Sequence, residues 1–316
     1  MSLPLPTSCE PVLPELAGLR KPRLRTDVPI LWRDQSSIQF GDDVIVDRVT
    51  RSHVTWIASL DGMRVAAEIE DDLFLPIHEA RRLLRALLAA GALDDATRIP
   101  DALRWCGQED RDRTAGRYGA ALRTYRSLDD AYAAMAARDR CTVAVVGTGL
   151  LADEVRTSLD AAGLTLTDRS DATVTVLADA RHPDVPAQFD HEALQGPHLP
   201  VSVLGERATA GPLVIPGHTG CLRCAHLHRR DADAAWPLLA VQWAQSLAGN
   251  ACPPVDPLLV RLAAAQAVLL IRLWVDAPQR TEDWAGYAID LRLPSGQTTR
   301  VGRPPHPLCG CRWPQG

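Results

Sequence analysis

No apolar run in this 316-residue chain reaches the roughly 20 residues that a membrane span needs, so no spanning helix is expected. The opening residues, MSLPLPTSCEPVLPEL, have no basic segment followed by a continuous apolar stretch, and so do not read as a secretion signal. A basic excess is missing as well. The formal net charge is −5, whereas a grip on nucleic-acid phosphates usually shows as a basic face. The one basic cluster, Arg20-Lys21-Pro22-Arg23-Leu24-Arg25, is short and reads as a solvated leader segment. Internal repeats and low-complexity tracts are lacking, and residues 140–316 contain no lysine. These features predict a cytoplasmic protein with reduced thiols and no membrane partner, and they disfavour nucleic acid as a partner. Hydrophobic residues at 46% against 23% charged are enough for a packed core, and the length suits two modest domains.

Residues 1–26 are rich in Pro, Leu and Arg without a period, and are expected to form an extended lead-in. Residues 29–47 predict two short strands, with Ile38 and Phe40 alternating with polar neighbours and Val44, Ile45 and Val46 after a Gly41-Asp42-Asp43 turn. Residues 50–60 predict a short helix. Residues 76–90 predict a longer one, with Leu83, Leu84, Leu87 and Leu88 at helical spacing and Gly91 as its stop. Together, residues 27–96 suggest a winged-helix-like α+β domain. Residues 97–138 then read as a linker and an Ala/Arg-rich helix. From residue 139 to 316 strands alternate with helices, which predicts an α/β domain with a largely parallel sheet. Its strands are placed at 142–146, 164–167, 172–177, 200–204 and 213–215, its helices at 150–162, 233–248 and 256–275, and a terminal hairpin at 284–302.

Eight cysteines in a reduced compartment point to metal or catalytic roles for some of them. Cys9, Cys106, Cys141 and Cys252 are isolated and read as small buried hydrophobes or incidental thiols. Cys221-Leu222-Arg223-Cys224 and Cys309-Gly310-Cys311 are two close pairs, 85 residues apart. Two such pairs can complete the tetrahedral four-thiolate shell of a structural zinc ion. A redox disulfide at Cys221/Cys224 and an incidental arrangement stay open. His226, His228 and His306 lie beside the pairs as substitute ligands or supporting groups. Four thiolates would leave zinc no open position, so the ion would support folding rather than catalysis.

Gly147-x-Gly149-x-x-Ala152 follows a predicted strand and opens a predicted helix, the setting in which such glycines let a phosphate approach a helix N-terminus. Asp168, 21 residues after Gly147, stands where an acidic residue can hold a ribose. A nucleotide pocket at Gly147, Gly149 and Asp168 and a turn kept only for packing are both compatible with these residues.

The segments VAVVGTGLLADEV, PLVIPGHTGCLRCAHLHRRD and HPLCGC resemble the E1-like (ThiF/MoeB-type) superfamily. More closely, they are similar to the zinc-bearing E1-like partner proteins of azole-forming cyclodehydratases. The resemblance covers residues 140–316. It implies a Rossmann-like E1 domain with a zinc knuckle, preceded by a winged-helix-like element that recognises a peptide by adding it to a sheet edge beside a helix. Here the receiving surface would be Ile38–Val46 with the helix at 77–90. Active members of the superfamily adenylate a carboxylate with ATP, using an arginine-rich stretch and a lysine after the acidic residue. In this chain Asp168 is followed only by Arg169-Ser170-Asp171-Ala172 before the next strand, and Cys252 is the one thioester candidate outside the zinc set. The implied function is a non-catalytic scaffold that binds a precursor-peptide leader and presents it to a YcaO-type cyclodehydratase. An ATP-dependent adenylyltransferase, with Arg207 or Arg223 supplying cationic groups, is the alternative, and a winged-helix DNA-binding protein is a second. A homodimer is also implied, since such relatives commonly pair.

Overall fold

The computed structural model describes residues 13–25, 28–98, 120–121, 124–125, 128–178, 196–248 and 255–311. The chain divides into two compact units, Met1–Ala133 and Ala134–Gly316. Cys9, Cys106 and Cys252 lie outside the described residues.

The first unit has two small antiparallel sheets. Strand β1 (Pro22–Leu24) pairs with β5 (Leu93–Asp95). Strands β2 (Ile30–Trp32), β3 (Ile38–Phe40) and β4 (Val44–Val46) form the second sheet in that order. In β3, Ile38 and Phe40 are fully buried on either side of Gln39, the alternation expected of a half-buried strand. Helices α1 (Arg51–Ala58), α2 (Ala66–Asp71) and α3 (Ile77–Ala89) follow. The α3 residues Ala80, Leu83, Leu84 and Leu87 share one face and are fully buried. Gly91, at a φ of +61°, turns the chain out of α3.

The residues before β1 carry a short 3-10 turn, Pro14–Leu16. Leu13 and Leu16 enter the same core as α3, and Glu15 pairs with Arg85 at 3.0 Å and Arg81 at 3.8 Å. Asp95 ties this region to the sheet by accepting backbone N–H bonds from Arg20 (2.8 Å), Lys21 (3.1 Å) and Thr97 (2.9 Å). The contacts of Glu15, Arg20 and Lys21 join residues about 70 positions apart, which a local period does not reveal.

The second unit begins with the end of helix α4 (Leu128–Arg140). It continues through β6 (Thr142–Val146), α5 (Leu150–Ala162), β7 (Thr165–Leu166), β8 (Val174–Ala178), β9 (His198–Leu204) and β10 (Arg207–Ala210). Helices α6 (Leu222–Ala232), α7 (Trp236–Ala248) and α8 (Pro257–Asp276) precede the hairpin β11 (Tyr287–Arg292) and β12 (Gln297–Gly302). The seven strands lie in the order β12-β11-β10-β9-β8-β6-β7. Pairs β7/β6, β6/β8 and β8/β9 are parallel, and β9/β10, β10/β11 and β11/β12 are antiparallel.

The expectation of a largely parallel sheet is therefore corrected to a mixed one. The reason is β10: Leu204 faces Arg207 across the two-residue turn Gly205-Glu206, and so short a connection permits only antiparallel pairing. The strand expected at 213–215 is no more than an isolated bridge between Val214 and His198. The helix expected at 233–248 begins at Trp236, and a separate helix, α6, precedes it.

Helix α8 corrects another expectation, because by length and composition it is long and apolar enough to cross a membrane. Its apolar character serves a core. Leu259, Ala263, Ala264, Ala267 and Ile271 are fully buried, where the helix lies against α5, β9 and β10. Asp256 caps it by accepting the Leu258 N–H at 2.8 Å.

Candidate metal centre and glycine turn

Cys221 is the N-cap residue of α6, and Cys224 sits in its first turn, with its N–H bonded to the Cys221 carbonyl at 2.9 Å. Gly220 lets the C-terminal tail pass close by. A Cβ at this position would lie 2.5 Å from the Arg303 carbonyl oxygen and 2.8 Å from Pro304 main-chain atoms. The tail arrives there because β11 pairs with β10 and β12 returns along β11, which delivers residues 303–311 to the start of α6.

The four sulfurs converge. Cys221 Sγ lies 3.8 Å from Cys224 Sγ and 3.4 Å from Cys309 Sγ, and Cys224 Sγ lies 3.4 Å from Cys311 Sγ. All four are within 4.8 Å of one another. Sulfurs bound tetrahedrally at about 2.3 Å from a zinc ion would stand about 3.8 Å apart, so this donor set fits such an ion. Cys224 is fully buried and its three companions are half-buried. Burial, then the neighbouring thiols of Cys221 and Cys224, push the Cys309 thiol far above its ordinary range. A metal ion among the four sulfurs would supply the positive charge that a Cys309 thiolate lacks.

The histidines are engaged elsewhere. Trp236 Nε1 donates to His226 Nδ1 at 3.1 Å. His228 Nε2 donates to the Pro304 carbonyl at 3.1 Å, and His306 Nε2 donates to Asp231 Oδ2 at 2.7 Å. Among the described residues the metal-competent group is made of the four cysteines alone.

Gly147 and Gly149 join β6 to α5 at φ values of +136° and +81°. The two have different surroundings. A Cβ on Gly147 would stand 1.9 Å from the Ala178 carbonyl oxygen at the end of β8, whereas a Cβ on Gly149 would meet nothing within 4 Å. Gly147 is thus demanded by strand packing, and Gly149 by its backbone angle alone. Arg156 closes the turn from α5, donating to the carbonyl oxygens of Val145 (3.3 Å) and Gly147 (3.1 Å). Asp168 is exposed and precedes the 3-10 turn Arg169–Asp171, which leads straight to β8. Arg207 is paired with Asp290 of the neighbouring strand, and Arg223 is exposed on α6.

No protein-family model and no curated protein matches the sequence. Solved structures do match. Over 92% of this chain, the structure superposes on 42% of the heterocyclase TruD with a TM-score of 0.62 and 17% identity. It superposes on the microcin C7 biosynthetic enzyme MccB, bound to N-formylated MccA, with a TM-score of 0.58 and 13% identity, covering 92% of this chain and 99% of MccB. The fold is that of MccB. An E. coli MccB structure with ATP gives a TM-score of 0.57 over the same shares. The chain spans about two-fifths of TruD's length, and the match to MccB runs nearly end to end in both proteins. At these identities the likeness establishes the fold.

Proposed function

We propose that this chain is a non-catalytic E1-like scaffold of the cytoplasm. It binds the leader of a ribosomally made precursor peptide and presents that peptide to a YcaO-type cyclodehydratase. The observation that carries the non-catalytic reading is the short path after Asp168. One exposed 3-10 turn separates it from β8, and no lysine occurs between residues 140 and 316. Phosphoryl chemistry depends on fixed cations around the phosphates, and this path leaves no room for a clamp there. Gly147 has a sufficient reason to be glycine in the close approach of Ala178.

Peptide handling is supported by the neighbours: TruD is a heterocyclase, and MccB was solved with MccA. The first unit suits a winged-helix-like peptide reader. Strand β4 is an edge of its sheet, next to α3, and its Ile45 is 48% exposed. On α3, Ile77 and Leu88 are also exposed, and eleven residues place them three turns apart on the same side. An extended peptide could add to β4 and seat apolar side chains against this helix. The α3 arginines are committed to carboxylates: Arg81 and Arg85 to Glu15, Arg82 to Glu79. That weakens the DNA-binding alternative. In the second unit, a zinc ion held by Cys221, Cys224, Cys309 and Cys311 would tie α6 to the C-terminal tail.

The adenylyltransferase reading is favoured by one observation, the near end-to-end superposition on MccB, one structure of which holds ATP. Titration with Mg·ATP by calorimetry, followed by pyrophosphate exchange against a peptide pool, separates the two readings. Silence in both assays, with capture of a precursor peptide and a cyclodehydratase in a pull-down, is the expected result. Tight ATP binding with exchange overturns the scaffold reading.

A further inference from the structure

The C-terminal tail is held against α6 before its cysteines are reached. Its path touches α6 and the residue before its N-cap at three places: Gly220 under Arg303 and Pro304, His228 on the Pro304 carbonyl, and His306 on Asp231. His306 is only 6% exposed, and both its ring nitrogens and its carbonyl are hydrogen-bonded. Its Nδ1 accepts the Leu308 N–H at 3.1 Å, which places the ring proton on Nε2 for the bond to Asp231. Its carbonyl accepts the Cys309 N–H at 3.0 Å. The His228 ring packs edge-on against it, with centroids 4.7 Å apart. One residue thus shapes a turn that ends on a sulfur donor, and Gly310, at a φ of +75°, reverses the chain towards Cys311.

We infer that His306 and Asp231 are positioning residues of the cysteine centre, which latch the tail to α6 so that Cys309 and Cys311 meet Cys221 and Cys224 already in place. The inference rests on the metal reading of those cysteines. Without the latch, a bound ion would have to order the tail itself, and that entropy would be subtracted from its affinity. Groups that orient metal ligands from outside the coordination shell typically change affinity by about 10- to 100-fold when removed.

The test compares zinc affinity, by competition with a chromogenic chelator, and the rate of zinc release in the full-length wild type, Asp231→Ala, Asp231→Asn and His306→Ala. The wild type is expected to hold one zinc per chain. Asp231→Ala and His306→Ala should weaken binding at least about tenfold and speed release. Asp231→Asn keeps an oxygen acceptor for His306 and should retain most of the affinity. Thermal unfolding of each zinc-free form separates general destabilisation from lost positioning. A merely structural pair would lower that transition and leave the affinity of the folded molecules unchanged. Zinc binding in Asp231→Ala and His306→Ala equal to wild type overturns the latch and leaves the centre standing. No zinc in the wild type overturns the centre itself. Should His306→Ala fail to fold, Asp231→Ala still decides, because the Asp231 side chain is 49% exposed and its loss leaves no cavity.

Discussion

Cys221 and Cys309 hold their sulfurs 3.4 Å apart across 88 residues of chain. Such proximity of thiols predicts a metal-dependent second unit. Elemental analysis should find one zinc per chain, and Cys309→Ser should lose it. Because burial and neighbouring thiols raise the Cys309 pKa, the metal must displace protons to bind. Affinity should therefore fall as pH falls, with proton release measurable by calorimetry in buffers of different ionisation enthalpy. A pH-independent affinity would count against thiolate ligation.

The two glycines of the β6–α5 turn should respond differently to alanine. Gly147→Ala forces a methyl group onto the Ala178 carbonyl and should cost more than about 2 kcal/mol in denaturant unfolding. Gly149→Ala meets open space and should cost less, about 1–3 kcal/mol, from backbone strain alone, because its φ of +81° with a ψ of −171° lies in a region essentially confined to glycine. Equal costs would remove the packing explanation for Gly147.

Asp95 should govern the acid stability of the first unit. Burial raises its pKa, but the N–H groups of Arg20, Thr97 and Lys21, with the Thr97 hydroxyl, outweigh burial and leave it lowered. A carboxylate depressed in the folded state stabilises fully above its unfolded pKa, near the ordinary 3.8, and loses that contribution as pH falls through the folded value. Asp95→Ala should cost about 1–3 kcal/mol at neutral pH, because four part-buried donor bonds lose their acceptor. The difference from wild type should shrink in strong acid, as followed by denaturant unfolding across pH.

The proposed peptide surface can be tested without disturbing the core. Ile45→Asp and Ile77→Asp alter side chains that are 48% and 49% exposed. Each should lower affinity for the captured precursor peptide about tenfold, by removing apolar contact worth about 1.4 kcal/mol. Thermal stability should move little. Unchanged peptide affinity in both variants would shift the binding surface elsewhere.

Arg138 and Asp276 form a two-pronged buried pair, at 2.7 and 2.6 Å. Breaking a buried ion pair by removing one partner is strongly destabilising, so Asp276→Ala should cost about 3–5 kcal/mol in chemical unfolding. Close by, Cys141 has its thiol pushed up to about 11 by burial and then by Asp276. Alkylation of the native protein at neutral pH should spare Cys141 and reach it only on unfolding.

Much of the fold was legible because its signals are local. Strand β6 runs over Thr142–Val146 as its apolar run predicts, and α5 ends at Ala162 before Gly163, whose φ is +81°. The turn residues Pro294-Ser295-Gly296 mark the β11–β12 hairpin, and the leucine spacing of α3 predicts its buried face. Strand β10 was not legible. Its Arg-Ala-Thr-Ala lacks apolar alternation, and its place in the sheet comes from pairing with β9 and β11. Helix α6 was hidden for a related reason: its second half, His226 to Asp231, is mostly polar, and His228 and Asp231 serve the tail, while its buried Leu222, Ala225 and Leu227 give only a short apolar face.

The sequence by itself determined which residues could ligate a metal, because two close cysteine pairs carry that chemistry wherever they stand, and where the chain must turn, because only glycine takes the turn at Gly147. It could not determine whether the two pairs would meet. That was decided by the antiparallel addition of β10, β11 and β12 to the sheet, which carries the tail back to α6, and by the His306–Asp231 contact that holds it there. The β10–β11 pairing and the His306–Asp231 contact join residues 75 or more positions apart, and their energy comes from partners that no local window of sequence contains.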